Sequence, residues 1–193
     1  MSPKLKVLVG VLVGSLVLDQ GSKWWVQQNL SPDAGRVVVI PNWLELIHAE
    51  NPGAAWSTLA DSPYRLWVFG TFTLVAVIAL IQMFRSLEPD ERLRAASTGL
   101  ILSGAIGNAI DRMSPKHTVT DFIKVFAGTG GARDWLIQNL GTNVWPIFNI
   151  ADSAIVVGVI LFGLEFLFQK DKSPSTEENV GPNPMHAPGN SPG

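Results

Sequence analysis

The chain has 193 residues, of which 47% are apolar and 16% charged, with a net charge of -2, seven tryptophans and no cysteine. No basic stripe is present to neutralise phosphates, which excludes a nucleic-acid partner, and the lack of cysteine removes disulfides, thiolate catalysis and cysteine-held metals. The apolar residues gather into four long blocks, the pattern of a membrane protein.

The first block, Leu5 to Val26, starts with Lys4 and Lys6 and has an apolar run from Val7 to Leu18. No small-residue cleavage signal follows that run, and DQGSKWW continues it to Trp24 and Trp25, so it reads as a retained span with Asp19 near its far end. Leu30 to Asp61 is too polar to cross a bilayer. Within it Arg36 to Ile40 and Trp43 to Ala49 read as short strands broken at Pro41 and Asn42, forming a small sheet on the membrane surface. A short helix is expected in AAWSTLADSP, ending before Pro63.

Tyr64 to Phe84 is apolar throughout and reads as the second span, with Tyr64 and Trp67 at one end and Gln82 and Arg85 at the other. The charged hairpin Leu87 to Ala95 is short enough to make the second and third spans antiparallel neighbours. In the third, Ala95 to Ile110, Gly99, Ser103 and Gly107 recur every four residues and permit close helix packing. Gly104, Asn108 and Arg112 form a second line beside them, with Asp111 adjacent and expected to pair with Arg112.

Ser114 to Val144 is the second long non-spanning segment. Thr118 to Phe126 reads as an extended piece, Gly128 to Gly131 as a flexible turn, and RDWLIQNLG as a short amphipathic helix ending at Gly141. The segment is expected to rest near the interface through Trp135, Leu136 and Leu140. The fourth span, Ile147 to Phe168, places Asn149 and Asp152 in its first two turns. A carboxylate in an apolar span costs about 2.5 to 3.5 kcal/mol at the centre and less near an end, so it calls for a site or a polar partner. The tail from Ser173 to Gly193, with five prolines, has almost nothing to bury and is expected to be disordered.

Four spans put both termini on one side. Parity then gathers Asp19, Asn51, Asn108, Asp111, Arg112, Asp121, Asn149 and Asp152 on the opposite face, where scattered polar residues would have divided between the two. Basic residues crowd the span ends on the side of the termini, which places that side in the cytoplasm. Two carboxylates within hydrogen-bond reach share one proton, so the pair can act as general base toward water and general acid toward a leaving group. Asp121 and Asp152 offer such a pair; Asp19 and Asp111 are the alternative, for which structural pairing is an equally good account. His48, His117 and His186 lie in unrelated segments without HExxH spacing, so no metal centre is expected.

The segments LDQGSKWW (Leu18 to Trp25), ENPGAAWS (Glu50 to Ser57), GAIGNAIDR (Gly104 to Arg112), VTDFI (Val119 to Ile123) and FNIADSAI (Phe148 to Ile155) resemble the five signature motifs of bacterial lipoprotein signal peptidase, or signal peptidase II. They stand in the family's order. The resemblance implies an all-α membrane protein of four transmembrane helices with a small extracytoplasmic β-sheet between spans one and two. It implies an aspartyl endopeptidase that cuts diacylglyceryl-modified prolipoproteins before the lipid-bearing cysteine, with no cofactor and no metal. Asp121 and Asp152 correspond to the catalytic pair, and Asp19, Asn51, Gly104, Asn108, Arg112, Asn149 and Ala151 to supporting or substrate-binding residues. The expected organisation is a protease domain over 1–172, with extracytoplasmic loops 27–63 and 113–145, and a cytoplasmic tail over 173–193. The expected setting is the bacterial inner membrane, with a monomer acting on lipid-modified precursors among membrane lipids. The Lys124 to Val144 segment and the Pro-rich tail depart from the family's common pattern. A membrane transporter or lipoprotein-assembly factor using the same acids is the competing reading, but the chain lacks the related halves or broken helices that favour it.

Overall fold

The computed structural model describes residues 1–32, 34–53 and 62–170. Four long helices, α1 (Pro3–Asn29), α2 (Arg65–Arg85), α3 (Arg92–Met113) and α5 (Ile150–Lys170), are joined by a three-stranded sheet and a short helix, α4 (Gly130–Leu140). At 1.5 Å per residue, 21 to 27 residues extend about 32 to 40 Å, enough for a hydrocarbon core of about 30 Å. On length and composition α1 and α2 both qualify as membrane-crossing helices. No residue of α2 is buried, and Trp67 and Phe72 are 78% and 71% exposed. Water would penalise that surface heavily, whereas lipid is its natural surrounding.

Helix α3 lies between α1 and α5 and is buried along much of its length, as its small residues anticipate. A Cβ on Gly99 would lie 2.9 Å from the Leu8 carbonyl oxygen of α1, and one on Gly104 would strike the Ala151 carbonyl of α5. The two lines of residues thus serve two different neighbours. The Gly99 side lets α1 approach, and the Gly104 side brings the first turn of α5 against α3.

One end of the bundle holds the start of α1 and the α2–α3 turn. There the Lys4 amide donates to the Pro89 carbonyl at 3.2 Å, and its ammonium lies over the Phe84 ring and bonds the Leu87 carbonyl. The opposite end carries the sheet. Strands β1 (Arg36–Ile40), β2 (Leu44–Asn51) and β3 (Val119–Val125) are antiparallel in that order. Two strands lie between α1 and α2, and the extended piece expected around Asp121 supplies the third. A register shift between Leu46 and Ala49 lets Ala49 face Asp121 and Asn51 face Val119, carrying the end of β2 alongside the acid.

Two local readings change. The fourth long helix begins at Ile150, because Trp145 to Phe148 stays extended and Phe148 bridges to Ile123 of β3. Asn149 therefore precedes the helix instead of lying within it. Gly128, expected in a flexible turn, donates its N–H to the Asn42 carbonyl at 2.8 Å, which ties the base of the α4 arm to the β1–β2 turn. Helix α4 itself ends at Gly141, in the left-handed region at φ 71°, as a C-terminal glycine allows. The short helix expected before Pro63, Trp56 and the tail from Ser173 lie outside the described residues.

Candidate active site

The site is assembled where the lower end of the sheet meets the start of α5. Asn149 caps that helix: its Oδ1 accepts the Asp152 N–H at 3.0 Å, and the Asp152 carboxylate accepts the Asn149 N–H at 3.2 Å. This reciprocal pair is a capping box, with Asp152 as the third helical residue. The Ala151 N–H goes elsewhere, to Asp19 Oδ1 of α1 at 2.9 Å. A helix N-terminus also favours negative charge, so the position suits a carboxylate.

The cap is wired to Asp121. Asn149 Nδ2 donates to Asp121 Oδ1 at 2.7 Å, and Asn51 Nδ2 donates to Asp121 Oδ2 at 2.9 Å. Asn108 Nδ2 donates to Asp152 Oδ1 at 2.8 Å. One asparagine thus touches both acids, and each acid has a second asparagine of its own. The bridge between Phe148 and Ile123 places Asn149 beside β3, and the shifted register of β2 places Asn51 there.

A family profile described as signal peptidase (SPase) II matches residues 11–168. The lipoprotein signal peptidase of Geobacter metallireducens is 37% identical over 179 residues, covering 93% of this chain and all of that protein. The lipoprotein signal peptidase of Geobacter sulfurreducens is also 37% identical, over 86% of this chain and 95% of its own length. The chain belongs to the signal peptidase II family. A bacterial membrane enzyme solved by the in meso method at 2.3 Å resolution superposes with a TM-score of 0.72 at 29% identity, covering 94% of this chain and 99% of that one.

Within this family member, Asp121 is 3% exposed and its carboxyl is pushed up to about 6. Burial is the main cause; hydrogen bonds from Asn51 and Asn149 and the charge of Lys23 oppose it, while the neighbouring Asp152 adds to it. At the next position of the same strand pair, where Glu50 faces Thr120, burial also acts on the carboxyl, but hydrogen bonds from Thr118, His48 and Lys116 outweigh it and hold it below its usual value.

The structure places the expected residues together, with two changes. Asp111 does not pair with Arg112; its Oδ2 lies 2.9 Å from Lys23 Nζ. Arg112 instead stacks over the Phe69 ring at 4.5 Å and donates Nη1 to the Asn108 carbonyl at 3.2 Å. Its buried Nε has no hydrogen-bond partner among the described residues. Lys23 is the residue that sequence reasoning missed: only 2% exposed, it also holds Asp19 Oδ2 at 2.9 Å. Its place one helical turn after Asp19 was the available signal. A polar cavity of about 160 Å³ opens beside Asp111 and is lined in part by Gln20, Gln27, Glu50 and Thr120. Neither Asp121 nor Asp152 lines it.

The raised pKa of Asp121 carries a stability consequence. Its folded value exceeds the ordinary 3.8, so its stabilising effect is complete below that value and is lost as pH rises toward about 6. Against an Asp121→Asn variant, which does not titrate there, the wild-type protein should lose ground in melting midpoint between about pH 4 and pH 6. Melting curves in detergent across that window provide the check, and a pH-independent gap between the two proteins would contradict it.

Proposed function

We propose that Asp121 and Asp152 are the catalytic pair of this lipoprotein signal peptidase, an aspartyl protease that cleaves lipoprotein precursors. The carrying observation is Asn149, whose side chain and backbone amide touch one carboxylate each. Asp121, whose carboxyl burial pushes up to about 6, is the acid to which we assign the shared proton. Asp152, accepting N–H bonds at the helix N-terminus, serves as the base that takes a proton from the attacking water. Asp121 gives its proton to the scissile carbonyl oxygen as the water oxygen bonds to carbon. Collapse of the resulting diol breaks the C–N bond: the proton gained by Asp152 passes to the leaving nitrogen, while Asp121 takes a proton back from one diol hydroxyl as the new C=O forms. No protein nucleophile is consumed, and the pair returns to its shared-proton state.

The substrate reading rests on the family likeness: a diacylglyceryl-modified precursor, cut before its lipid-bearing cysteine. Lipid partitioning holds such a substrate at the interface, so membrane binding supplies much of the positioning. Arg112, facing both acids from α3, is suited to hold a substrate carbonyl beside them. Asn51, Asn108 and Asn149 orient the acids without adding charge, while Asp19, Ala151 and Gly104 hold the start of α5 in place. One chain supplies donors to both acids, so the pair needs no second copy to be completed, and we take the enzyme to act as a monomer.

In the topology we favour, α1, α2, α3 and α5 all cross the inner membrane, the termini are cytoplasmic and the pair is extracytoplasmic. The meeting of Lys4 with the α2–α3 turn, at the end opposite the sheet, supports it. Single cysteines at Ser2, Asn42, Glu91 and Gly130 test it on intact cells with a membrane-impermeant thiol reagent. Labelling is expected at Asn42 and Gly130 only, and labelling at Glu91 would invert the arrangement.

For the chemistry, Asp121→Asn and Asp152→Asn should each lower turnover of a lipidated precursor by at least about 10² to 10⁴-fold while the protein stays folded. The double variant should cost little more, since the two act as one unit. Near-wild-type cleavage by either single variant would remove the assignment.

A further inference from the structure

Lys23 has no part in the chemistry just described, yet it is among the most completely buried side chains of the protein. Its Nζ meets three acceptors: Asp19 Oδ2 at 2.9 Å, Asp111 Oδ2 at 2.9 Å and Asn108 Oδ1 at 3.1 Å. An ammonium has three donors and no acceptor, so this geometry uses it completely. Two acids would have been enough to neutralise the charge. The third contact needs a separate reason, and it lies with Asn108.

A carboxamide presents an acceptor on one edge and a donor on the other, and its neighbours decide which way round it sits. Asn108 Oδ1 accepts from Lys23 and from Asn149 Nδ2 at 3.2 Å, which leaves Nδ2 to donate to Asp152 Oδ1 at 2.8 Å. Turning the amide over would aim its N–H groups at an ammonium and its oxygen at a carboxylate. At the other end of the chain of amides, the Asp152 backbone N–H fixes Asn149 in the same manner. Two donor-only groups therefore set the direction of every hydrogen bond between them.

We propose that Lys23 is a positioning residue for catalysis: its ammonium locks the Asn108 carboxamide with the nitrogen toward Asp152, and so determines which acid of the pair accepts and which carries the proton. The proposal rests on Asp121 and Asp152 being the catalytic pair. Lys23 also acts on Asp121 through its charge, which lowers the pKa that burial raises. The charged groups gathered around the pair are Asp19 and Lys23 from α1, and Asp111 and Arg112 from α3. Asp111 and Asp19 anchor Lys23 and do not touch either catalytic carboxylate by hydrogen bond.

Removing Lys23 alone strands two buried carboxylates, so the test is the charge-conserving pair Lys23→Met with Asp111→Asn, compared with Asp111→Asn alone. With a lipidated precursor and folded enzyme, the double variant should lose about ten- to hundredfold in kcat with little change in KM, the loss expected for a hydrogen bond to a charged group. Its pH–rate bell should move to higher pH. Asp111→Asn alone should keep most turnover and the wild-type bell. A folded double variant with wild-type kcat and an unmoved bell would reduce Lys23 to a structural counter-ion. Should the double variant fail to fold, Lys23→Arg decides: a donor-only cation keeps Asn108 oriented, so the bell stays in place even if turnover falls, and a displaced bell overturns the proposal. If Asp152→Asn itself retained turnover, the catalytic reading would fall, an outcome distinct from failure of the Lys23 proposal.

Discussion

A helix that starts with its N-terminus buried has backbone N–H groups to satisfy, and at the start of α5 that requirement organises the whole site. Each such group left without a partner costs about 1 to 3 kcal/mol. Here the partners are Asn149 for the Asp152 N–H and Asp19 for the Ala151 N–H, and Asp152 returns a bond to Asn149. The atoms that complete the helix are the atoms that hold the carboxylates. The Asn149 side chain that caps α5 through its oxygen also donates its nitrogen to Asp121, so the start of the helix and the site share one residue.

The rest of the architecture delivers components to that point. The small residues of α3 let α1 and α5 close on it, so Asp19 and Lys23 from one side and Asp152 from the other meet around Asn108. The sheet contributes from above: β3 carries Asp121, and the irregular register of β2 sets Asn51 against it. Burial of this many charges is expensive, and the network answers by pairing them: Lys23 with two acids, and each acid of the proposed catalytic pair with asparagine donors. Burial leaves Asp121 a weakly stabilised anion, which suits the proton carrier we assign it to be.

Much of this was legible in the sequence because membrane burial makes polar residues conspicuous. Asp152 and Asn149 stood out against an apolar run, and parity of the hydrophobic blocks placed them on the same face as Asp121 and Asn51. The small-residue lines of α3 announced close packing in the same way. Lys23 was harder to see, since a lysine near Trp24 and Trp25 fits an interfacial anchor equally well, and only its burial distinguishes the two. The Asp111–Arg112 pairing failed for a geometric reason: neighbours in sequence point to different sides of a helix, so Asp111 turns to α1 and Arg112 to Phe69 of α2. The start of α5 was read too early because Pro146 to Phe148 is as apolar as the helix that follows, and the hydrogen bonds that keep it extended come from β3, distant in sequence.

The unity of helix cap and catalytic network is tested most directly by Asn149→Ser. A serine hydroxyl caps the helix through the same Asp152 N–H, but it has no amide to offer Asp121 or Asn108. The account predicts a melting midpoint within a few degrees of wild type and turnover of a lipidated precursor reduced roughly ten- to hundredfold at matched enzyme concentration. A serine variant that cleaves at the wild-type rate would show that the cap alone is needed and that the side-chain bridge between the two acids is not.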